Sequence, residues 1–481
     1  NHTIPFGSDR FFSAYIYKKS TGRRVFFPMK SYANPMKQNF ISGTLLLTLT
    51  GILSRIIGFY YKIFLSRRIG AEGLGIYQLI FPVFALIISV SAAGIQTAIS
   101  RYCAQCRQKR QARAYLSVGL SGSLLLSASC VWIIWHYAPQ IGLSLLEDVR
   151  TVPLLRIMTL SLPFACIHAC INGYYYGRKK AVIPAISQIL EQVIRVAGVW
   201  LVADIQMQRG QLVTPQIAVW GILFGELASS LYSVTMVCFF SERTENKKTV
   251  PNPSVPPSSI RLTKIAKDLC SMAVPLTCSR ILLSLCQSAE ALLIPIKLRD
   301  FRYANSDALS VYGILTGMVF STIMFPCVLS NSLSVMLLPA IAEANSRKQY
   351  NLVQKAIRRT TQLCVILGLV CTSGFLLCGN WIGIHLFHNT LAGIYVRTLS
   401  WICPFLFLAS TLCSILHGLG KATLTMLINL AGAAIRIIFV FAGIPRIGLS
   451  AYLWGMLASQ ILICALAFFC LHHAPEYVPE K

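Results

Sequence analysis

The sequence predicts an all-α membrane protein, with twelve transmembrane helices in two homologous six-helix lobes and both termini in the cytoplasm. Three observations carry that prediction. The first is composition. Of 481 residues, 55% are hydrophobic and only 12% charged, against about 25% charged in a soluble domain. That much apolar surface cannot be kept from water in a soluble core. The second is an internal repeat. Displaced by 241 positions, a stretch of about fifty residues matches itself without a gap. Arg156 falls on Arg397, Pro163 on Pro404, Gly177 on Gly418, Lys180 on Lys421 and Ile194-Arg195 on Ile435-Arg436. An upstream echo sets Ser54-Arg55-Ile56 against Ser279-Arg280-Ile281. The third is the sorting of basic residues between loops, which fixes orientation.

The elements follow in order. A bilayer core of ~30 Å needs about 20 apolar helical residues. Six stretches qualify in the first half: 40–65, 75–99, 114–135, 152–175, 181–202 and 217–240. Residues 241–268 hold a charged run and Pro-Asn-Pro-Ser-Val-Pro-Pro-Ser-Ser, and read as a cytoplasmic linker. Six more stretches follow: 269–296, 310–340, 360–378, 391–416, 422–444 and 447–471. The lobes are therefore 36–240 and 269–471, with a short tail at 472–481. Residues 1–35 are polar, basic and aromatic without periodicity, and read as an extension or disordered tail. No cleavable signal peptide is evident, because the first apolar stretch is long enough to stay in the bilayer.

With the amino terminus inside, the inside loops hold 20 Lys and Arg and the outside loops 8. Arg101 to Arg113, Arg178 to Lys180 and the linker supply most of the inside set. An even number of helices per lobe makes the lobes face the same way, related by an axis along the membrane normal. Two such halves around a central substrate are the usual layout of a transporter. The net charge of +27 suits anionic headgroups rather than nucleic acid, since the basic residues sit in short loops between apolar spans. The 17 cysteines lie mostly singly inside apolar spans, where they act as small hydrophobes. Cys103 and Cys106 form a lone C-x-x-C without a second pair.

Ionisable residues deep in a membrane helix cost at least ~2.5–3.5 kcal/mol each, so each is a functional hypothesis. In the fifth span Gln188, Glu191, Gln192 and Arg195 stand at i, i+3, i+4 and i+7, on one face. That stripe is either a hydrogen-bonded seam between helices or the wall of a polar cavity. Arg55 and Arg280 are related by the upstream echo, and Arg280, Ser284 and Gln287 are read as sharing a face. Arg436 repeats Arg195, and Asn429 repeats Gln188, but Gly432 stands where Glu191 stands. The second half thus reads as an arginine without its acid. Glu226 and Glu290 are the other deep acids, as counter-ions or as a cation-coupling site. Arg156 and Arg397 lie nearer helix ends, within snorkelling reach of headgroups.

Surplus guanidinium groups suit an anion, and the planar fork of arginine suits phosphate. The implied cargo is an amphipathic phosphate or pyrophosphate. No catalytic residue, metal or cofactor is assigned. Gly418-Leu419-Gly420-Lys421-Ala422-Thr423 lacks the spacing of a phosphate-binding loop. His168 reads as alone in its span, and Gly221 with Gly225 forms a G-x-x-x-G for close helix packing.

Several segments carry a resemblance. They are Ser54-Arg55-Ile56-Ile57-Gly58-Phe59, Gly70-Ala71-Glu72-Gly73-Leu74-Gly75-Ile76-Tyr77-Gln78, Ser91 to Ser100, and Ser187-Gln188-Ile189-Leu190-Glu191-Gln192-Val193-Ile194-Arg195-Val196. Together, over 36–471, they resemble the stage V sporulation protein B (SpoVB) and YtgP branch of the polysaccharide transporters. That branch lies in the MOP flippase superfamily, with MurJ and the MATE exporters as relatives. The resemblance implies a MATE/MurJ-like fold in the cytoplasmic membrane. It implies a monomeric flippase for undecaprenyl-pyrophosphate-linked saccharides, a polysaccharide or peptidoglycan precursor such as lipid II, with membrane lipids around it. It implies alternating access around a cationic cavity and maps the first-span arginine of MurJ-like proteins onto Arg55. Where those proteins carry a second first-span arginine this chain has Tyr61, and its eighth span is uncharged from Tyr312 to Gly317. MurJ has fourteen helices against the twelve counted here. Two further readings compete. One is a MATE-like cation or drug antiporter working through Glu290 or Glu226. The other is a non-transporting scaffold for cell-wall or spore assembly.

Overall fold

In a computed structural model, residues 35–106, 108–239, 262–330, 341 and 350–472 are described, and every regular element among them is helical. Residues 1–34, most of the predicted linker and residues 473–481 fall outside that set. Eleven helices among the described residues are long and apolar enough to cross a membrane. They are α1 (Leu46–Gln105), α2 (Lys109–Leu145), α3 (Thr151–Gly177), α4 (Val182–Gln208), α5 (Gln216–Phe239), α6 (Leu262–Asp300), α7 (Asn305–Met324), α8 (Val353–Leu386), α9 (Thr390–Gly418), α10 (Ala422–Ile447) and α11 (Leu449–His472).

The sequence predicts twelve spans, and the difference lies in α1. This run of 60 residues would be ~90 Å long if straight, three times the thickness of a bilayer core. It is broken at Gly70, whose φ of 70° and ψ of −178° no helix contains. Side chains with a Cβ rarely adopt that φ, and glycine does so freely. Tyr61 and Tyr77 would stand ~24 Å apart along a straight helix, yet their phenols meet. The chain therefore folds back around Gly70, and α1 has two arms, one on each side of it. A second boundary also differs. The predicted linker runs to 268, but α6 is already helical at Leu262.

Small residues set the packing. A Cβ at Gly225 of α5 would lie 2.8 Å from the Glu191 carbonyl of α4, so the G-x-x-x-G draws these two helices together. Two of the seams along which the residues before the linker meet those after it involve α1. On the first, α1 faces α6: the Ser89 and Ser284 hydroxyls are 2.9 Å apart, and Ser288 donates to the Pro82 carbonyl at 3.0 Å. On the second, α1 faces α7. A Cβ at Gly75 would collide with the Leu309 carbonyl, and one at Gly313 would lie 2.5 Å from the Gly75 nitrogen.

The second seam lies near the end where α1 turns at Gly70, α2 gives way to α3, α6 to α7 and α8 to α9. Arg67 there donates from Nε to the Leu386 carbonyl at 2.8 Å and from Nη2 to that of His385 at 2.6 Å. It caps the carboxyl end of α8. Arg299 pairs with Glu147. Arg150 bridges Asp148 and Glu72, each at 2.8 Å. Donating to Asp148 pushes the Arg150 pKa up against the opposing effect of burial.

Candidate functional site

The stripe on α4 is real and is one wall of a charged cluster. Glu191 and Arg195 are one helical turn apart, and the Arg195 guanidinium pairs with the Glu191 carboxylate. Gln192 Nε2 lies 3.4 Å from the same oxygen, and Gln188 continues the stripe, half-buried. The close packing of α4 on α5 brings in Glu226, which is 9% exposed. From α3 comes His168, whose Nδ1 is 3.5 Å from Glu226 Oε2. His168 is therefore not alone, as the sequence reading has it; its partners sit on two other helices. Ligand-type atoms of His168, Glu191 and Glu226 all lie within 4.8 Å of one another. Glu191 pairs with the one guanidinium of the cluster, and Glu226 faces the imidazole instead. In an apolar interior the extra negative charge must be met by a proton or a cation. Three buried atoms of these residues have no hydrogen-bond partner: His168 Nε2, Arg195 Nε and Glu226 Oε2. An imidazole nitrogen with two carboxylates is a donor set that suits a proton or a small cation.

The repeat-related arginine has other company. Arg436 on α10 holds both oxygens of Glu290 on α6 through Nε, at 2.9 and 2.8 Å. Its Nη1 donates to Ser459 at 2.8 Å, and the Tyr452 hydroxyl donates to Glu290 at 2.8 Å. Arg436 is thus not an arginine without an acid. The correction has a physical reason. Position 432 carries no side chain, and a Cβ there would lie 2.5 Å from Ile463 and 3.1 Å from the Ser459 hydroxyl. The glycine lets α11 close onto α10, and the acid arrives from α6 instead. Gln287, Glu290, Asn429, Arg436 and Tyr452 line one cavity of about 470 Å³.

Arg280, Ser284 and Gln287 lie at i, i+4 and i+7 along one side of α6, and they meet different neighbours. Ser284 and Ser288 meet α1, and Arg280 reaches Thr97 of α1 at 3.4 Å. Leu283, Gln287 and Glu290 form the neighbouring stripe, turned to the cavity.

Arg55 and Arg280 stand apart from both clusters. Both are exposed, and no carboxylate pairs with either among the described residues. The sequence reading passed over Lys62. It lies seven residues after Arg55 on the same side of α1, half-buried, with no carboxylate paired to it among the described residues. Phe59, between them on that side, packs on Phe325 beyond α7 at 5.1 Å and on Phe387 beyond α8 at 6.4 Å. The cationic side of α1 therefore faces the second half of the chain. The i, i+7 spacing of Arg55 and Lys62 was the signal available. For Tyr452, one tyrosine among 19, there was none.

Eleven apolar helices among the described residues, a duplicated sequence and charge pairs within the bundle are the make-up of a multi-pass transporter, and the family matches place it in the MOP superfamily in the cell membrane. Residues 40–345 match the model of the family described as polysaccharide biosynthesis protein, and residues 301–442 match the MatE model. The chain belongs to the polysaccharide biosynthesis protein family. It is 27% identical to stage V sporulation protein B of Bacillus subtilis over 438 residues, covering 89% of this chain and 83% of that one. It is 23% identical to the lipid II flippase MurJ of the same organism over 451 residues, covering 89% and 80%. Among solved structures, an inward-facing multidrug resistance MATE transporter of the MOP superfamily superposes with a TM-score of 0.66 at 14% identity, covering 90% of this chain and 96% of that one. That likeness is one of fold.

Proposed function

We propose that this protein moves an undecaprenyl-pyrophosphate-linked saccharide across the cytoplasmic membrane by alternating access of its two lobes. The observation that carries the reading is the division of the cations into paired and unpaired sets. Arg195 and Arg436 are neutralised by Glu191 and Glu290. Arg55, Lys62 and Arg280 are left without described acids, on helices along the seams between the two halves. Free cations there would take the pyrophosphate, with guanidinium forks bonding two oxygens at once. The family membership and the likeness to a lipid II flippase support a cargo that is both anionic and lipid-linked. The His168, Glu191 and Glu226 group would couple transport to a proton or cation. We place the basic loops in the cytoplasm, with both termini.

The test is flipping in proteoliposomes with fluorescent undecaprenyl-pyrophosphate saccharides. Arg55→Ala, Lys62→Ala and Arg280→Ala are each expected to slow flipping by roughly tenfold, the equivalent of ~1.4 kcal/mol, while the melting temperature stays. Wild-type rates in all three variants would overturn the assignment of the cavity. A second reading, a MATE-like cation antiporter, rests on the same buried group of His168, Glu191 and Glu226. Loss of drug export in Glu226→Gln with no flipping by the wild-type protein would favour it.

A further inference from the structure

A third feature lies away from both charged clusters and is independent of the cargo. A groove of about 830 Å³ runs between α8, α9 and α11. Its polarity is graded. Asn380, Arg397, Thr398 and Ser450 line it near the ends of their helices. Arg397 is seven residues into α9, and Ser450 is the second residue of α11. Deeper, the lining is Phe405, Leu457 and Ile461. Ile461 lies ~18 Å along α11 from its start and Phe405 ~22 Å along α9. Half of a bilayer with its headgroup region is also ~20–22 Å. The groove therefore has the length of one leaflet, a charged mouth and an apolar floor.

The repeat shows that the mouth is open for a reason. In the first half, Arg156 is half-buried with its guanidinium over the Trp135 ring, 5.8 Å from the centroid. Leu376 stands the same 21 positions before Arg397 as Trp135 does before Arg156. It lines the groove and supplies no ring. Gly379 leaves room for the Arg397 stem, since a Cβ there would lie 2.5 Å from Arg397 Cγ. The guanidinium is exposed, with no carboxylate paired to it among the described residues. A lone cation in this setting calls for an anion.

We propose that this groove binds one anionic phospholipid of the adjoining leaflet, with its phosphate on Arg397 and an acyl chain along Phe405, Leu457 and Ile461. The length favours a glycerophospholipid over a 55-carbon polyprenyl chain, which is far longer than one leaflet. Trp401 and Trp454 flank the groove, 57% and 62% exposed, and provide the readout.

The experiment is quenching of tryptophan fluorescence in the full-length protein by brominated phosphatidylglycerol and brominated phosphatidylcholine in mixed micelles. Phosphatidylglycerol is expected to quench at a roughly five-fold lower mole fraction, the factor that ~1 kcal/mol per basic residue at an anionic lipid gives. The other tryptophans are quenched by bulk lipid of either kind, so Trp401→Phe with Trp454→Phe should remove the part of the quenching that depends on the headgroup. Arg397→Gln should erase the headgroup preference. Leu457→Phe fills the floor without touching the arginine, and should weaken both lipids alike if Arg397→Gln fails to fold. No preference in the wild type, or an unchanged preference in Arg397→Gln, overturns the proposal. Displacement of the brominated lipid by undecaprenyl phosphate at a lower mole fraction than unbrominated phosphatidylglycerol also overturns it, in favour of a polyprenyl occupant.

Discussion

Arg195 and Arg436 occupy equivalent positions in a duplicated sequence and keep opposite kinds of company. Arg195 takes its acid from its own helix, one turn away, and shares it with a second acid and a histidine. Arg436 takes its acid from α6, 146 positions earlier in the chain, and Ser459 and Tyr452 bond to the pair. The first cluster leaves atoms unpartnered; the second closes on itself. A duplicated arginine thus carries no fixed role. Its role follows from what the neighbouring helices deliver. The first cluster has the composition of a site that changes its proton or cation content. The second has the composition of a clamp joining α6, α10 and α11.

The contrast is sharpest in stability. Glu290→Ala leaves Arg436 buried without its counter-charge, and is expected to cost ~3–5 kcal/mol. Thermal unfolding in detergent should show the loss, and pairing it with Arg436→Met should restore most of it. Equal damage from the single and double variants would break the clamp assignment. Next in size is Gly432→Ala, which sets a methyl against Ile463 and is expected to cost ~1–3 kcal/mol by overpacking. The equivalent change in the first half, Glu191→Ala, meets no such wall. If Gly432→Ala melts with the wild type, the closure of α11 on α10 is looser than described. Smallest is Glu226→Gln, which removes the extra negative charge and should shift stability by less than ~1 kcal/mol. It should nonetheless abolish the dependence of transport on an ion gradient. A melting loss as large as that of Glu290→Ala would make the two clusters alike after all.

Much of this was legible in the sequence, and for a definable reason. Apolar runs, loop charges and the repeat are local or periodic, so they marked the spans. The Gln188 to Arg195 stripe was visible because i, i+3, i+4 and i+7 neighbours belong to one helix. Gly221 and Gly225 signalled a close approach, and the approach is there. What the sequence could not show was partnership across helices. The pairing of Arg436 with Glu290, the company of His168 and the turning of Gln287 toward a cavity depend on which helix faces which. Spacing along the chain carries no record of that. Gly432 even pointed the wrong way. Read as a missing acid, it is the space that lets Ser459 reach the arginine. Lys62 was legible and was passed over, because the lysine follows Tyr61 in a run of aromatic and apolar residues that reads as ordinary membrane helix.

The contact of α1 with α7 has a consequence for motion. Where Gly75 meets Leu309 and Gly313, the helices touch by peptide backbone. Around that point Leu74 of α1 packs on Gly317 of α7, and Leu74, Leu309 and Leu315 are buried in one core, so parting the helices uncovers apolar area at about 25 cal/mol per Å². The nearby contacts, Arg67 on two carbonyls and Arg299 on Glu147, exchange readily for water. The cost of opening this end is therefore apolar rather than ionic, and closure restores one register, because only at two facing glycines can the backbones approach so closely.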